Sequence, residues 1–76
     1  MKTGSLHFIV EFDREEDGRF IAEVRELPGV LAYGPTREAA KLSVEQLVRN
    51  VILDRVEHGE LSLTPESVAS ISFSAA

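Results

Sequence analysis

The stretch from Asp17 to Thr36 constrains the chain more than any other, because its 20 residues hold a turn, a strand, a corner, a second strand and a helix start. Asp17-Gly18 is a hairpin signal, since both residues accept the backbone angles that tight turns between strands demand. From Arg19 to Arg25 the pattern then alternates, with Phe20, Ala22 and Val24 opposed to Ile21, Glu23 and Arg25. Such a period of two is that of a half-buried strand. Leu27-Pro28-Gly29 interrupts the ladder, because proline lacks an amide hydrogen and glycine accepts positive φ. Val30 to Tyr33 reads as a short third strand stopped by Gly34-Pro35. Thr36 is placed to cap a helix, and Glu38 in the first turn suits the positive end of the helix dipole.

The rest of the chain supplies partners for that unit. Ser5 to Phe12 predicts a strand with Leu6, Phe8, Val10 and Phe12 on one face and His7, Ile9 and Glu11 on the other. The polar link Asp13 to Gly18 joins it to the second strand as an antiparallel hairpin. A helix is expected from about Arg37 to Glu57, closed by Gly59 as a C-terminal glycine cap. At 100° per residue, Ala40, Val44, Leu47, Val48 and Val51 share one face, with Ile52 at its edge. Leu61 to Glu66 reads as a loop, and Val68 to Phe73 as a last strand with Ala69, Ile71 and Phe73 on its apolar face. The expected fold is α+β in the order βββαβ: three antiparallel strands, one helix packed on one sheet face, and a fourth strand. Residues 1–76 form a single domain.

Composition narrows the function. The 76 residues include no cysteine, so neither a disulfide nor a thiolate metal site is available to support a core this small. The longest apolar run is four residues, Val30 to Tyr33, far short of a membrane span. Met1-Lys2-Thr3-Gly4 leads into a strand pattern without an apolar signal region, so a cytoplasmic location is expected. The net charge is −5, and residues 11–26 carry most of it, with seven acids against three arginines. An acidic chain is poorly suited to a phosphate backbone and better suited to a basic protein. The same acid excess also serves solubility alone.

Asp13-Arg14-Glu15-Glu16-Asp17-Gly18 imitates the opening of a calcium loop, but Val24 stands where the bidentate glutamate belongs. Glu11, Asp13 and Glu23 could converge as a metal-dependent nuclease centre, which needs several acids around a metal pair about 4 Å apart. His7 and His58 lie in different elements, and no histidine sits in a motif that would activate a serine. No glycine-rich phosphate loop is present. Phe8, Phe12 and Phe20 fall on the core face, leaving Tyr33 as the aromatic available to stack on a base. No catalytic, metal or cofactor site is therefore predicted, and no direct contact with nucleic acid.

What remains is surface. One helix covers one face of a sheet, so the other face presents Ile9, Ile21 and Glu23, with Leu31 or Tyr33 depending on register. The helix carries a second apolar set, Leu42, Leu53 and Val56, pointing away from the sheet-facing stripe. Ile9, Ile21, Glu23, Tyr33, Leu42 and Leu53 are the candidate partner or oligomer contacts.

The ordered set Asp17-Gly18-Arg19-Phe20-Ile21-Ala22-Glu23-Val24, Glu26-Leu27-Pro28-Gly29 and Gly34-x-Thr36-x-Glu38-Ala39 resembles the HicB-like antitoxin family of bacteria, over roughly residues 6–60. The resemblance implies a partial ribonuclease-H-like fold without that enzyme's active site, with the fourth strand beside the first. It also implies a homo-oligomer, a dimer or tetramer, that neutralises a small basic HicA-type toxin which cleaves messenger RNA. Two-domain members of the family add a DNA-binding module after the last strand. This chain reaches Ala76 directly after that strand, so the DNA-binding role is not carried over.

Overall fold

A computed structural model of the chain describes residues 6–76. The element order is β1 (His7–Arg14), β2 (Phe20–Val24), β3 (Leu31–Gly34), α1 (Arg37–Glu57), α2 (Pro65–Ala69) and β4 (Ser72–Ala75). The fold is α+β. One four-stranded sheet, ordered β3-β2-β1-β4, carries α1 on one face. β1 pairs antiparallel with β2, β2 antiparallel with β3, and β4 lies parallel to β1. The fourth strand therefore sits beside the first. The expected start of the first strand at Ser5, and the stretch Met1 to Gly4, lie outside the described residues. No helix among the described residues is long and apolar enough to cross a membrane.

Each turn follows from its residues. β1 runs two residues beyond the expected Phe12, and the hairpin closes over Glu16-Asp17-Gly18. Glu15 N–H donates to Arg19 O at 2.7 Å, Gly18 N–H to Glu15 O at 2.9 Å, and Gly18 takes φ +93°. This three-residue loop ends in a left-handed glycine, a common hairpin solution. The Asp17 carboxylate accepts from Arg19 N–H at 3.0 Å and holds the turn. At the corner, Val30 N–H donates to Leu27 O at 3.0 Å with Gly29 at φ +88°. Proline at the second position and a positive-φ glycine at the third make a type II turn. It delays β3 to Leu31.

Helix α1 has the expected bounds. Thr36 Oγ1 accepts from Ala39 N–H at 3.0 Å at the N-cap. At the other end, Gly59 N–H donates to Val56 O at 3.1 Å and Glu60 N–H to Arg55 O at 2.8 Å, with Gly59 at φ +75°. That double bond is a Schellman closure.

The core is formed by Phe8, Val10, Ala22 and Val24 from the sheet and Ala40, Val44, Val48 and Ile52 from the helix. Leu6, Phe12 and Phe20 are half-buried against it, as the alternation predicts. The buried stripe of the helix is rotated from the expected one. Leu47 and Val51 are only half-buried and lie outside the cluster, while Glu45 on the opposite flank is buried and pairs with Lys41. Val56 packs against the core rather than away from it. The cause is placement, because α1 lies over β2 and β3 rather than over the middle of the sheet. The flank above β1 is then closed by charged side chains that reach over aromatic rings. Arg37 lies 4.6 Å from the Phe12 ring centroid and Arg49 lies 5.4 Å from that of Phe73.

The C-terminal segment corrects the expected strand at Val68 to Phe73. Pro65–Ala69 is a short helix with Thr64 as N-cap, its Oγ1 accepting from Ser67 N–H at 3.1 Å. Proline at the first helical position suits such a start, having no amide to leave unpaired. Val68 and Ile71, read as opposite faces of a strand, are three apart and both buried. The strand begins only at Ser72. Phe73 then stacks on Phe8, with centroids 5.9 Å apart.

Candidate partner-binding surface

The sheet face away from α1 is open, and register decides what shares it. Glu11 stands opposite Glu23 and Asp13 opposite Ile21. Ile21 in turn stands opposite Tyr33, and Glu23 opposite Leu31. Two rows thus cross the sheet, Tyr33–Ile21–Asp13 and Leu31–Glu23–Glu11. Both Leu31 and Tyr33 belong to this face, which resolves the choice left open by sequence alone. A shallow open depression of about 510 Å³ borders it, lined by Glu11, Asp13, Ile21, Glu23 and Leu31 of this face together with Phe12, Arg37 and Ala76.

The charges on this face are unequally matched. Arg25 donates to Glu11 Oε2 from Nε at 3.1 Å and from Nη2 at 2.7 Å. The Glu11 hydrogen bond, reinforced by its charge, raises the Arg25 guanidinium above its ordinary pKa. Arg19 pairs with Asp17 at 2.8 Å and lies 4.6 Å from the Tyr33 ring centroid. That contact covers part of the ring, yet Tyr33 remains 43% exposed. Asp13 and Glu23 have no ion-pair partner among the described residues. With Glu11 occupied by Arg25, Asp13 and Glu23 are the carboxylates on this face that remain for a cation. Glu26 is turned elsewhere, since its carboxylate accepts from Ile9 N–H at 3.1 Å and anchors the start of the corner.

Ile9, Ile21, Glu23 and Tyr33 are therefore brought together on one surface, with Ile9 and Ile21 half-buried. Leu42 and Leu53 are not part of it. They lie on the outer side of α1, 67% and 38% exposed, on a separate surface. Glu11, Asp13 and Glu23 do share the open face, but among the described residues no group of three histidine, aspartate or glutamate side chains is arranged to hold a metal ion.

One contact escaped the sequence reading. His7 sits between two serines of β4, with Nδ1 2.9 Å from Ser72 Oγ and Nε2 2.7 Å from Ser74 Oγ. These residues are 65 and 67 apart in sequence, and only parallel pairing of β1 with β4 joins them. A hydroxyl beside an imidazole is half of a nucleophile–base pair, which also requires a group orienting the base. Among the described residues His7 has no carboxylate partner, and its exposed ring completes a polar end to the face.

Compared with models of known protein families, with characterised proteins and with solved structures, the chain matches none of them.

Proposed function

We propose that this chain is a non-catalytic interaction module, an antitoxin-like protein of the bacterial cytoplasm that binds and masks a small basic toxin of the HicA type. The observation that carries this reading is the open sheet face. Glu23 and Asp13 stand there without ion-pair partners among the described residues, beside half-buried Ile9, Ile21 and Leu31 and exposed Tyr33. Apolar side chains ringed by unmatched acid suit a basic protein surface, which would supply both burial and the missing cations. The fold order and the motif from Asp17 to Ala39 support the same reading through their likeness to HicB-like antitoxins. Homo-oligomerisation, as a dimer or tetramer, is part of the proposal.

The test is titration of the chain with a purified HicA-type toxin, read by calorimetry at two salt concentrations, alongside co-expression in a toxin-arrested strain. Binding that weakens as salt rises, that is lost in Ile21→Glu and Glu23→Lys, and that restores growth is the expected result. Failure to bind or relieve any HicA-type toxin would overturn it.

A further inference from the structure

We propose that Arg25 is an internal competitor for an arginine of the partner on the open face. It holds Glu11 in the unbound chain and is displaced when the incoming arginine takes that carboxylate, so it sets how tightly the face binds. The inference rests on the reading above in taking the open face as the binding surface, and it adds which residue limits that binding.

Register puts Glu11 at the centre of the acid on this face. Glu23 stands directly opposite it, and Asp13 follows two residues along the same side of β1. Like charges directly across strands repel, so Glu11 and Glu23 together call for a cation. In the unbound chain Arg25 supplies it. Arg25 N–H donates to Ile9 O at 3.1 Å, which sets Arg25 across from Ile9 and its side chain diagonal to Glu11. Arg19, on the same side of β2, is turned instead to Asp17 and the Tyr33 ring.

The pair is readily exchanged. Its side chains are 60% and 46% exposed, and ion pairs in water add little to stability, so the fold loses little when Arg25 is released. Nε and Nη2 both donate to one oxygen, Oε2, while Oε1 accepts no hydrogen bond among the described residues. That is an incomplete match for a guanidinium, whose planar fork suits two oxygens side by side. Arg25 is tied to β2 and approaches Glu11 along the sheet. An arginine arriving from above the sheet is not so tied, and can take both oxygens of Glu11 or bridge Glu11 to Glu23. It relieves the same repulsion, covers Ile21 and Leu31 with its stem, and leaves Arg25 to solvent.

Calorimetric titration of the whole chain tests the inference, with the HicA-type toxin and separately with a pentaarginine peptide as ligand. Arg25→Gln removes the competitor and is expected to bind each ligand about 2- to 5-fold tighter than wild type. Arg55→Gln makes the same change in net charge from the last turn of α1, on the other side of the sheet, and should tighten binding less. In a Glu11→Gln chain, Arg25→Gln should bring no gain beyond that control, because no carboxylate remains to be released. These side chains are exposed or half-buried, so circular dichroism of every variant should match wild type. If Arg25→Gln binds pentaarginine no tighter than Arg55→Gln does, or if its gain persists in Glu11→Gln, the inference is overturned whatever the toxin does. A gain with pentaarginine that vanishes in Glu11→Gln, together with no toxin binding by any variant, upholds the inference and overturns the toxin reading alone. Absence of binding to either ligand, by wild type and by Arg25→Gln, overturns both.

Discussion

Gly34 is the position where one added methyl group tests the fold most severely. It ends β3 and is buried beneath the first turn of α1. A Cβ there would lie 2.5 Å from Ala40 N, 2.9 Å from Ala39 C and 3.0 Å from Ala39 Cβ. Carbon atoms pack best at about 3.5–4.0 Å, so the helix start would have to retreat by roughly 1 Å. The obstruction is backbone and cannot swing aside. Retreat would also stretch the bonds that define the helix start, Ala40 N–H to Thr36 O and Ala39 N–H to Thr36 Oγ1, both 3.0 Å. Overpacking costs about 1–3 kcal/mol and a weakened N-cap about 1. Replacing glycine recovers about 0.4–1 kcal/mol through the unfolded chain. The net loss for Gly34→Ala is thus about 2 kcal/mol, against a total stability on the order of 4–11 kcal/mol for a domain of this size. Thermal unfolding followed by circular dichroism should show the midpoint fall by about 8–16 °C. Gly18→Ala is the control, since Gly18 has φ +93° but open space around it, and backbone strain alone costs about 1–2 kcal/mol. If Gly34→Ala unfolds within about 1 kcal/mol of wild type, or is milder than Gly18→Ala, the close approach of β3 to α1 is wrong.

The rotation of α1 is tested by a pair of truncations in urea. Val48→Ala, at a fully buried site, should cost about 2 kcal/mol, and Val51→Ala, half-buried outside the cluster, less than about 1. Equal losses would restore the stripe expected from the sequence. For His58, Nδ1 lies 2.8 Å from Asp54 O at the helix C-terminus, and that hydrogen bond, with the Asp54 charge, raises its pKa above the ordinary 6.5. The protonated ring therefore stabilises the folded chain fully below about pH 6.5, and the contribution is lost as pH rises through the raised folded value. Melting of His58→Gln across this range should lack that decline, and an identical pH profile to wild type would refute the contact.

Local chemistry explains why so much of the fold was legible. The Asp-Gly turn, the Pro-Gly corner, the Thr36 cap and the Gly59 closure each depend on residues within a few positions of one another. They appear in the structure where the residue types place them. The strand alternation likewise sorted Phe8, Val10, Ala22 and Val24 to the core. Misreadings came where a period was short or a neighbour distant. Val68 to Phe73 is too brief to separate a helical turn followed by a strand from a strand alone, and Thr64-Pro65 was the cap signal that distinguished them. Of the candidate contacts, the alternation placed Ile9, Ile21 and Glu23 on one sheet face, whereas Leu42 and Leu53 lie on a separate surface of α1. Which of Leu31 and Tyr33 would join Ile21 and Glu23 depended on the length of the type II turn, and both proved to face outward.

The sequence by itself determined the order of the strands and the main helix, the bounds of α1 and the apolar face of the sheet, because turns, caps and periodicity are properties of neighbouring residues. Tertiary structure alone decided which helical residues are buried, since α1 lies over β2 and β3 and its charged flank closes over Phe12 and Phe73. It decided the ion pair that occupies Glu11 and leaves Glu23 without one among the described residues. It also decided that β4 lies parallel to β1, joining His7 to serines at the far end of the chain. Those outcomes depend on side chains and strands far apart in sequence meeting in space, and no local pattern encodes such a meeting.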